Sequence, residues 1–138
     1  MREIDPQLPC VACDVQRIGQ VLRNLLANAI KFGPEGSAIT LRAAPVVFPR
    51  DGQPGSGVEI RISDQGPGIP EAERESVFEK FVQSSLTRTG AGGTGLGLAI
   101  SREIVVAHGG RIFAREAVGG GAEIVVRLLA IEHETVTE

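Results

Sequence analysis

The sequence contains no tryptophan and no tyrosine, and only one methionine and five phenylalanines among its 138 residues. Intrinsic fluorescence is therefore a poor reporter of any change in its shape. No apolar run approaches the roughly 20 residues that a membrane-spanning helix needs. No charged segment followed by an apolar stretch opens the chain, so no signal peptide is expected. An excess of basic charge is missing too. Fourteen Lys and Arg stand against seventeen Asp and Glu, a formal net charge of −3, which argues against a nucleic-acid surface. Cysteine is scarce: Cys10 and Cys13 cannot make a disulfide framework. Zinc would want four ligands, and the two histidines lie far away in sequence. On an extended strand the two thiols point to opposite faces, and they are expected to be buried or incidental in a reducing cytoplasm. What is left, 42% hydrophobic and 22% charged, fits one soluble domain spanning residues 1–138, with a core over about 9–130 and a polar tail at 131–138.

Glycine is the residue in excess, at 18. Five fall between Gly90 and Gly97, two are Gly66 and Gly68, and others pair or cluster at 109–110 and 119–121. A linker would scatter glycine among serine, whereas these clusters alternate with strongly periodic segments. Pro9–Cys13 reads as a short strand. Asp14 is placed to cap a helix over Val15–Phe32, whose apolar stripe is Ile18, Leu22, Leu25, Ala29 and Phe32. Gly33-Pro34 ends it. Ser37–Ala44 and Val58–Ser63 alternate as strands, and Pro45 to Gly57 reads as the loop between them. Pro70 opens a short helical stretch to about Phe81, and 84–94 reads as a mobile loop. Leu96–His108 is a second long helix with Gly109 as its C′ residue. Arg111–Glu116 and Ala122–Leu129 form a hairpin around Gly119-Gly120-Gly121. These elements predict an α+β fold, a two-layer sandwich. About five strands form a mixed, mostly antiparallel sheet, with three helices on one face.

Three segments carry candidate chemistry. Asn24, Asn28 and Lys31 follow one another at i, i+4 and i+7 and share a stripe of the first helix, read as roughly opposite its apolar one. That stripe is either a solvated face or a row of amide oxygens and one ammonium facing a ligand such as a Mg²⁺-triphosphate. Asp64-Gln-Gly-Pro-Gly-Ile69 follows directly on a strand. Gly66 and Gly68 let backbone approach a ligand closely, and an acceptor-only carboxylate at Asp64 suits the amine of adenine. A plain Asp-capped turn would look the same. The glycine-rich segment ending in Gly93-Thr-Gly-Leu-Gly-Leu98 leads into a helix N-terminus, where unpaired N–H groups can hold phosphate. It lacks the Gly-Lys-Ser/Thr of a P-loop, and no strand precedes it as a dinucleotide fingerprint would require.

Taken in order, Asn24-Leu-Leu-Ala-Asn28-Ala-Ile-Lys31, Asp64-Gln-Gly-Pro-Gly-Ile69, Val77-Phe-Glu-Lys-Phe81 and Gly93-Thr-Gly-Leu-Gly-Leu98 resemble the N, G1, F and G2 boxes of sensor histidine kinases. These kinases belong to the ATPase group that includes gyrase B, Hsp90 and MutL. The resemblance runs from about Cys13 to Leu128. It implies a Bergerat-type sandwich that binds ATP with Mg²⁺ and gives the γ-phosphoryl group to a histidine on a separate helical hairpin, from which it passes to a response regulator. It implies Asn28 as the Mg²⁺ ligand with Asn24 beside it, and Lys31 on phosphate, with Asn28 and Lys31 as the catalytic pair. Asp64 would bind adenine in a pocket shaped by Gly66, Gly68 and Ile69. Gly93, Thr94, Gly95, Leu96, Gly97 and Leu98 would hold the phosphates. Phe78 and Phe81 would anchor a lid over 84–94.

The chain departs from its relatives in places. Asn24 stands where the hydrolysing members and the anti-sigma serine kinases carry a Glu base, whose loss suppresses hydrolysis and serine transfer. A histidine acceptor is already nucleophilic as neutral imidazole. Gln83 stands where many relatives have an Arg near the phosphates, and Arg88 is the candidate to replace it. The loop at 45–57 is longer than usual. The acceptor histidine is not in this chain: His108 reads as a structural cap, and His133 has too few residues after it for a hairpin. The reading is thus an excised catalytic domain, cytoplasmic and bacterial, monomeric by itself, without membrane or nucleic-acid contact. A serine kinase of the anti-sigma type and a non-catalytic ATP-sensing module are the alternatives.

Overall fold

Asp14 sits in extended backbone, and its carboxylate accepts the N–H groups of Gln16 and Arg17 at 3.0 and 3.1 Å. Two of the four orphan donors at a helix start are thereby satisfied, and α1 runs from Val15 to Phe32. It buries Ile18, Val21, Leu25 and Ala29. Gly33 closes it with an N–H to the Ala29 carbonyl, and Pro34 cannot continue it. The computed structural model describes residues 2–49, 52–80, 82 and 97–130, and the expected loop at 84–94 and the tail at 131–138 lie outside them.

Among the described residues five strands make one sheet: β1 (Arg2–Ile4), β2 (Thr40–Val47), β3 (Ser56–Ser63), β4 (Arg111–Glu116) and β5 (Ala122–Leu129), in the spatial order β1-β2-β3-β5-β4. Only β1 and β2 run parallel; the rest is antiparallel. Period-two alternation sends Val58 and Ile62 of β3, and Ile124, Val126 and Leu128 of β5, into the core that α1 and α2 (Gly97–Ala107) cover. Leu25 is 1% exposed at its centre, so truncating it to Ala would cost roughly 2–5 kcal/mol.

The first strand is not at Pro9–Cys13. It lies earlier, at Arg2–Ile4, and the later segment contributes a single bridge from Val11 to Ala130. Cys10 is exposed, and Cys13 is half-buried against the core. Pro45 begins no loop. It pairs with Val58 inside β2, at a place where β1 has already ended at the level of Ala43. With only one neighbouring strand there, a residue without an N–H is tolerated. The loop shrinks to 48–55, tied by the Phe48 N–H to the Gly55 carbonyl at 2.7 Å.

The third helical segment is present as two 3₁₀ turns, Glu71–Glu73 and Ser76–Phe78, the second burying Val77 and Phe78. α2 ends as the sequence predicts. Gly109 has φ +72°, its N–H reaches the Val106 carbonyl, and the Gly110 N–H reaches the Val105 carbonyl, which is the Schellman pattern. His108 does more than cap. Its Nδ1 lies 2.7 Å from the Ile104 carbonyl, and its Nε2 accepts the backbone N–H of Asp14 at 3.1 Å. Both contacts fit the neutral ring with its proton on Nδ1. The imidazole thus clamps the end of α2 to the start of α1 and sets the two helices antiparallel.

Candidate functional site

Antiparallel packing places the second half of α1 beside the first turn of α2. On that half of α1, Asn24 and Asn28 are half-buried and Lys31 is exposed. Their stripe does not oppose the apolar one. At roughly 100° per residue it flanks Val21 and Leu25, which is why both asparagines are partly covered. Neither side-chain amide has a hydrogen-bond partner among the described residues. The Lys31 ammonium stands 5.2 Å from the Phe32 ring centroid, in the last turn of α1, where the helix macrodipole favours a cation.

The turn after β3 meets this end of α1 directly. A side chain at Gly66 would place its Cβ 2.6 Å from the Phe32 carbonyl oxygen, so the close approach needs glycine. Asp64 is half-buried at the strand end. Its N–H donates to the Ala122 carbonyl at 2.9 Å. Its Oδ1 accepts two backbone N–H groups, from Gly66 at 2.9 Å and from Ala122 at 3.0 Å. One carboxylate oxygen is therefore engaged by two backbone donors, and Oδ2, without a partner among the described residues, can accept from something else. Gly68 has φ +80° and passes 3.5 Å from the Gly121 carbonyl, as judged by where its Cβ would lie. The half-buried Ile69 packs against the core, and its carbonyl accepts Arg74 Nε at 3.2 Å.

The remaining predicted residues divide. Gly97 begins α2 and is exposed, Leu98 is packed against the core, and Phe78 is buried. Phe81, Gly93, Thr94, Gly95 and Leu96 fall outside the described residues, as do Gln83 and Arg88. The structure thus brings together the second half of α1, the turn at 64–69 and the first turn of α2. No cluster of three or more His, Cys, Asp or Glu that could hold a metal occurs among the described residues. Any cation here would have to be held by neutral amides and by a ligand's own oxygens, and Asn28 offers the hard oxygen such an ion prefers.

Three supporting residues are not evident from sequence. Gly121 has φ +91°, and a Cβ on it would lie 2.1 Å from the Asp64 carbonyl oxygen. It lets the β4–β5 hairpin press against Asp64. Ala122 then grips Asp64 from both sides of its peptide. Gln65 Oε1 accepts the Ala38 N–H at 2.9 Å, fixing the turn to the segment before β2. The glycine triplet was a signal for the hairpin, but nothing local tells which of the three glycines meets Asp64.

Residues 13–131 match the family model described as "Histidine kinase-, DNA gyrase B-, and HSP90-like ATPase". The chain is 44% identical over 111 residues to the adaptive-response sensory kinase SasA of Synechococcus sp. (strain CC9311), an alignment covering 80% of this chain and 27% of that protein. It therefore spans about a quarter of that relative's length. Among solved structures, a mycobacterial sensor histidine kinase MprB is 33% identical with a TM-score of 0.76, covering 94% of this chain and 82% of that one. Full-length ShkA in complex with AMPPNP is also 33% identical, with a TM-score of 0.72, covering 94% of this chain and 25% of that one.

Proposed function

This chain belongs to the histidine kinase-, DNA gyrase B- and HSP90-like ATPase family, as a histidine kinase catalytic domain, and we propose that it binds ATP with Mg²⁺ and donates the γ-phosphoryl group to a histidine on a separate helical hairpin. The observation that carries this reading is the Asp64 carboxylate, held on one oxygen by Gly66 and Ala122 and, among the described residues, open on the other. The open oxygen is an acceptor matched to the exocyclic amine of adenine, and it would refuse the carbonyl that guanine presents there. The ShkA complex with AMPPNP supports a nucleotide on this fold.

On this reading the nucleotide lies from Asp64 along α1 toward the start of α2. Asn28, with Asn24 beside it, would hold Mg²⁺ through its amide oxygen, and the ion would offset phosphate charge. Lys31 adds a mobile positive charge at the same end. Gly93 to Leu98 would close on the phosphates from the helix N-terminus, with Phe78 and Phe81 anchoring the lid. The chemistry breaks the bond between the γ-phosphorus and its bridging oxygen, forms one from phosphorus to an imidazole nitrogen, and releases ADP. Positioning and charge neutralisation carry the rate. With Asn24 where a Glu base would stand, the chain is suited to an acceptor that needs no base. A response regulator is the onward partner. On this reading the domain works in the bacterial cytoplasm. No helix among the described residues is long and apolar enough to cross a membrane.

The decisive experiment supplies the chain with γ-labelled ATP, Mg²⁺ and an acceptor-histidine hairpin. An acid-labile phosphohairpin is expected. An acid-stable product on a serine would give the reaction to the serine-kinase reading, and nucleotide binding without transfer would make the chain a sensor. Asp64→Asn sharpens the test. The amide keeps an oxygen for both N–H groups but puts a donor where Oδ2 was, so nucleotide binding is lost while the melting temperature holds.

A further inference from the structure

We propose that the open face of the sheet, turned away from α1 and α2, docks an acidic segment of a partner protein. The alternation that buries Val58 and Ile62 puts Glu59 and Arg61 on the opposite face. Register extends that face across the sheet: Arg42 lies opposite Arg61, Arg127 lies between Glu59 and Arg111, and Glu123 lies between Ser63 and Arg115. Together with Glu3, which pairs with Arg42 at 2.6 Å, the face holds five arginines and three glutamates. Its balance is +2, on a chain whose formal net charge is −3.

The two signs lie at different depths. The Glu123 side chain is 3% exposed and that of Glu59 is 14% exposed, whereas Arg115 above Glu123 is 39% exposed. Glu123 is saturated by Arg115 through Nη2 and Nε at 2.6 and 2.9 Å and by the Ser63 hydroxyl at 2.9 Å. Glu59 takes Arg127 Nε at 2.8 Å, with Arg61 Nε at 3.4 Å. These two carboxylates are neutralised from within and solvent meets the guanidinium edges above them, whereas at the β1 edge the order reverses, with Glu3 49% exposed beside Arg42 at 33%. Arg111 is exposed and has no carboxylate partner among the described residues; its guanidinium carbon stands 5.6 Å from the Phe113 ring centroid. Arg127 and Arg115 share the same ring at 5.0 and 6.0 Å.

Twelve of the fourteen basic residues of this chain are arginine, and this face follows that composition. All five are arginine, whose planar fork takes a carboxylate through two parallel hydrogen bonds, and which keeps its charge at any physiological pH. Phe113 adds an apolar contact among them. Next to Arg42 and Arg61 lies a shallow hollow of about 320 Å³, floored by Ala43 and Ala44 and rimmed by Ile4, Glu3 and Asp5. The acidic rim and the remaining −5 of the chain, obtained as −3 less the face's +2, would repel a long polyanion. A short acidic stretch of polypeptide reaches Arg111, Arg115 and Arg127 on β4 and β5, at the end of the sheet away from that rim.

The test is fluorescence anisotropy of a labelled oligoglutamate peptide, titrated with the chain in saturating Mg-ADP to keep the peptide out of any nucleotide site. Binding is expected, weakened about tenfold by Arg111→Glu, as for reversal of an interfacial charge, and less by Arg111→Gln. It should fall steeply with added salt. Amide resonances of β3, β4 and β5 should shift with the peptide. Both variants should keep the wild-type circular dichroism and melting temperature. No binding by oligoglutamate overturns the proposal, as does equal binding by wild type and Arg111→Glu. Oligothymidylate, or vesicles rich in phosphatidylserine, bound as tightly and lost in the same variant would also overturn it, in favour of a nucleic-acid or lipid surface. If the chain fails to bind ADP, the contrast between wild type and Arg111→Glu still reads out.

Discussion

The two ends of α1 are built from similar polar residues and end in opposite states. At its start Asp14 Oδ1 accepts from Gln16 and Arg17, and the Asp14 N–H goes across to His108 at the end of α2. Toward its other end, Asn24 and Asn28 hold amides with no partner among the described residues, and Asp64 Oδ2 has none among them either. A bond to the other helix is what makes the first end a joint, because the Asp14 N–H given to His108 has nothing left to offer a ligand. Incomplete saturation on a rigid element is what makes the second a site.

The comparison predicts that damage at the two ends will separate. The largest effect is expected where the site leans on backbone. Gly121→Val must adopt positive φ and push its Cβ into the Asp64 carbonyl, costing roughly 2–5 kcal/mol by urea denaturation and abolishing nucleotide binding. Gly120→Ala, with φ +101° and open space around it, should cost only about 1 kcal/mol. If the two cost the same, the hairpin is not a support for Asp64. Asn28→Ala comes next: phosphoryl transfer should fall about 100-fold, the scale of losing one preorganised electrostatic contact, with the melting temperature unchanged. A drop in melting temperature instead would make Asn28 structural and erase the contrast.

The clamp end should behave in the reverse manner. His108→Ala removes an acceptor from Asp14 and a donor from Ile104 and should cost about 1–3 kcal/mol, while nucleotide affinity measured calorimetrically stays within a factor of about three. Asp14→Ala removes the cap and should cost about 1 kcal/mol. The double variant His108→Ala with Asp14→Ala should lose less than the sum of the two, because both act on one junction.

Much of this molecule is local in origin and was legible as such. The bounds of α1 follow from a capping Asp, a 3.6-residue stripe and Gly33-Pro34. The Gly109 terminator and the β4–β5 hairpin are likewise written within a few residues. The order of four motifs along the chain is enough to point to the family. Where the reading failed, the missing information was non-local. Pro45 reads as a strand breaker, yet it sits in β2 because β1 stops short of it. Arg2–Ile4 has too few residues to show a period, and only its pairing with Leu41–Ala43 makes it a strand.

The sequence by itself therefore determined the two long helices, the later strands and which residues are candidates for chemistry, since propensity, periodicity and capping act over a turn or two of chain. The tertiary structure alone decided which candidates are poised. The Ala122 N–H reaches Asp64 across 58 residues, and His108 reaches Asp14 across 94. It also decided that five arginines from four strands share one face, with Glu59 and Glu123 beneath Arg127 and Arg115. A hydrogen bond or ion pair depends on distance in space, and separation along the chain says almost nothing about that until the sheet is assembled.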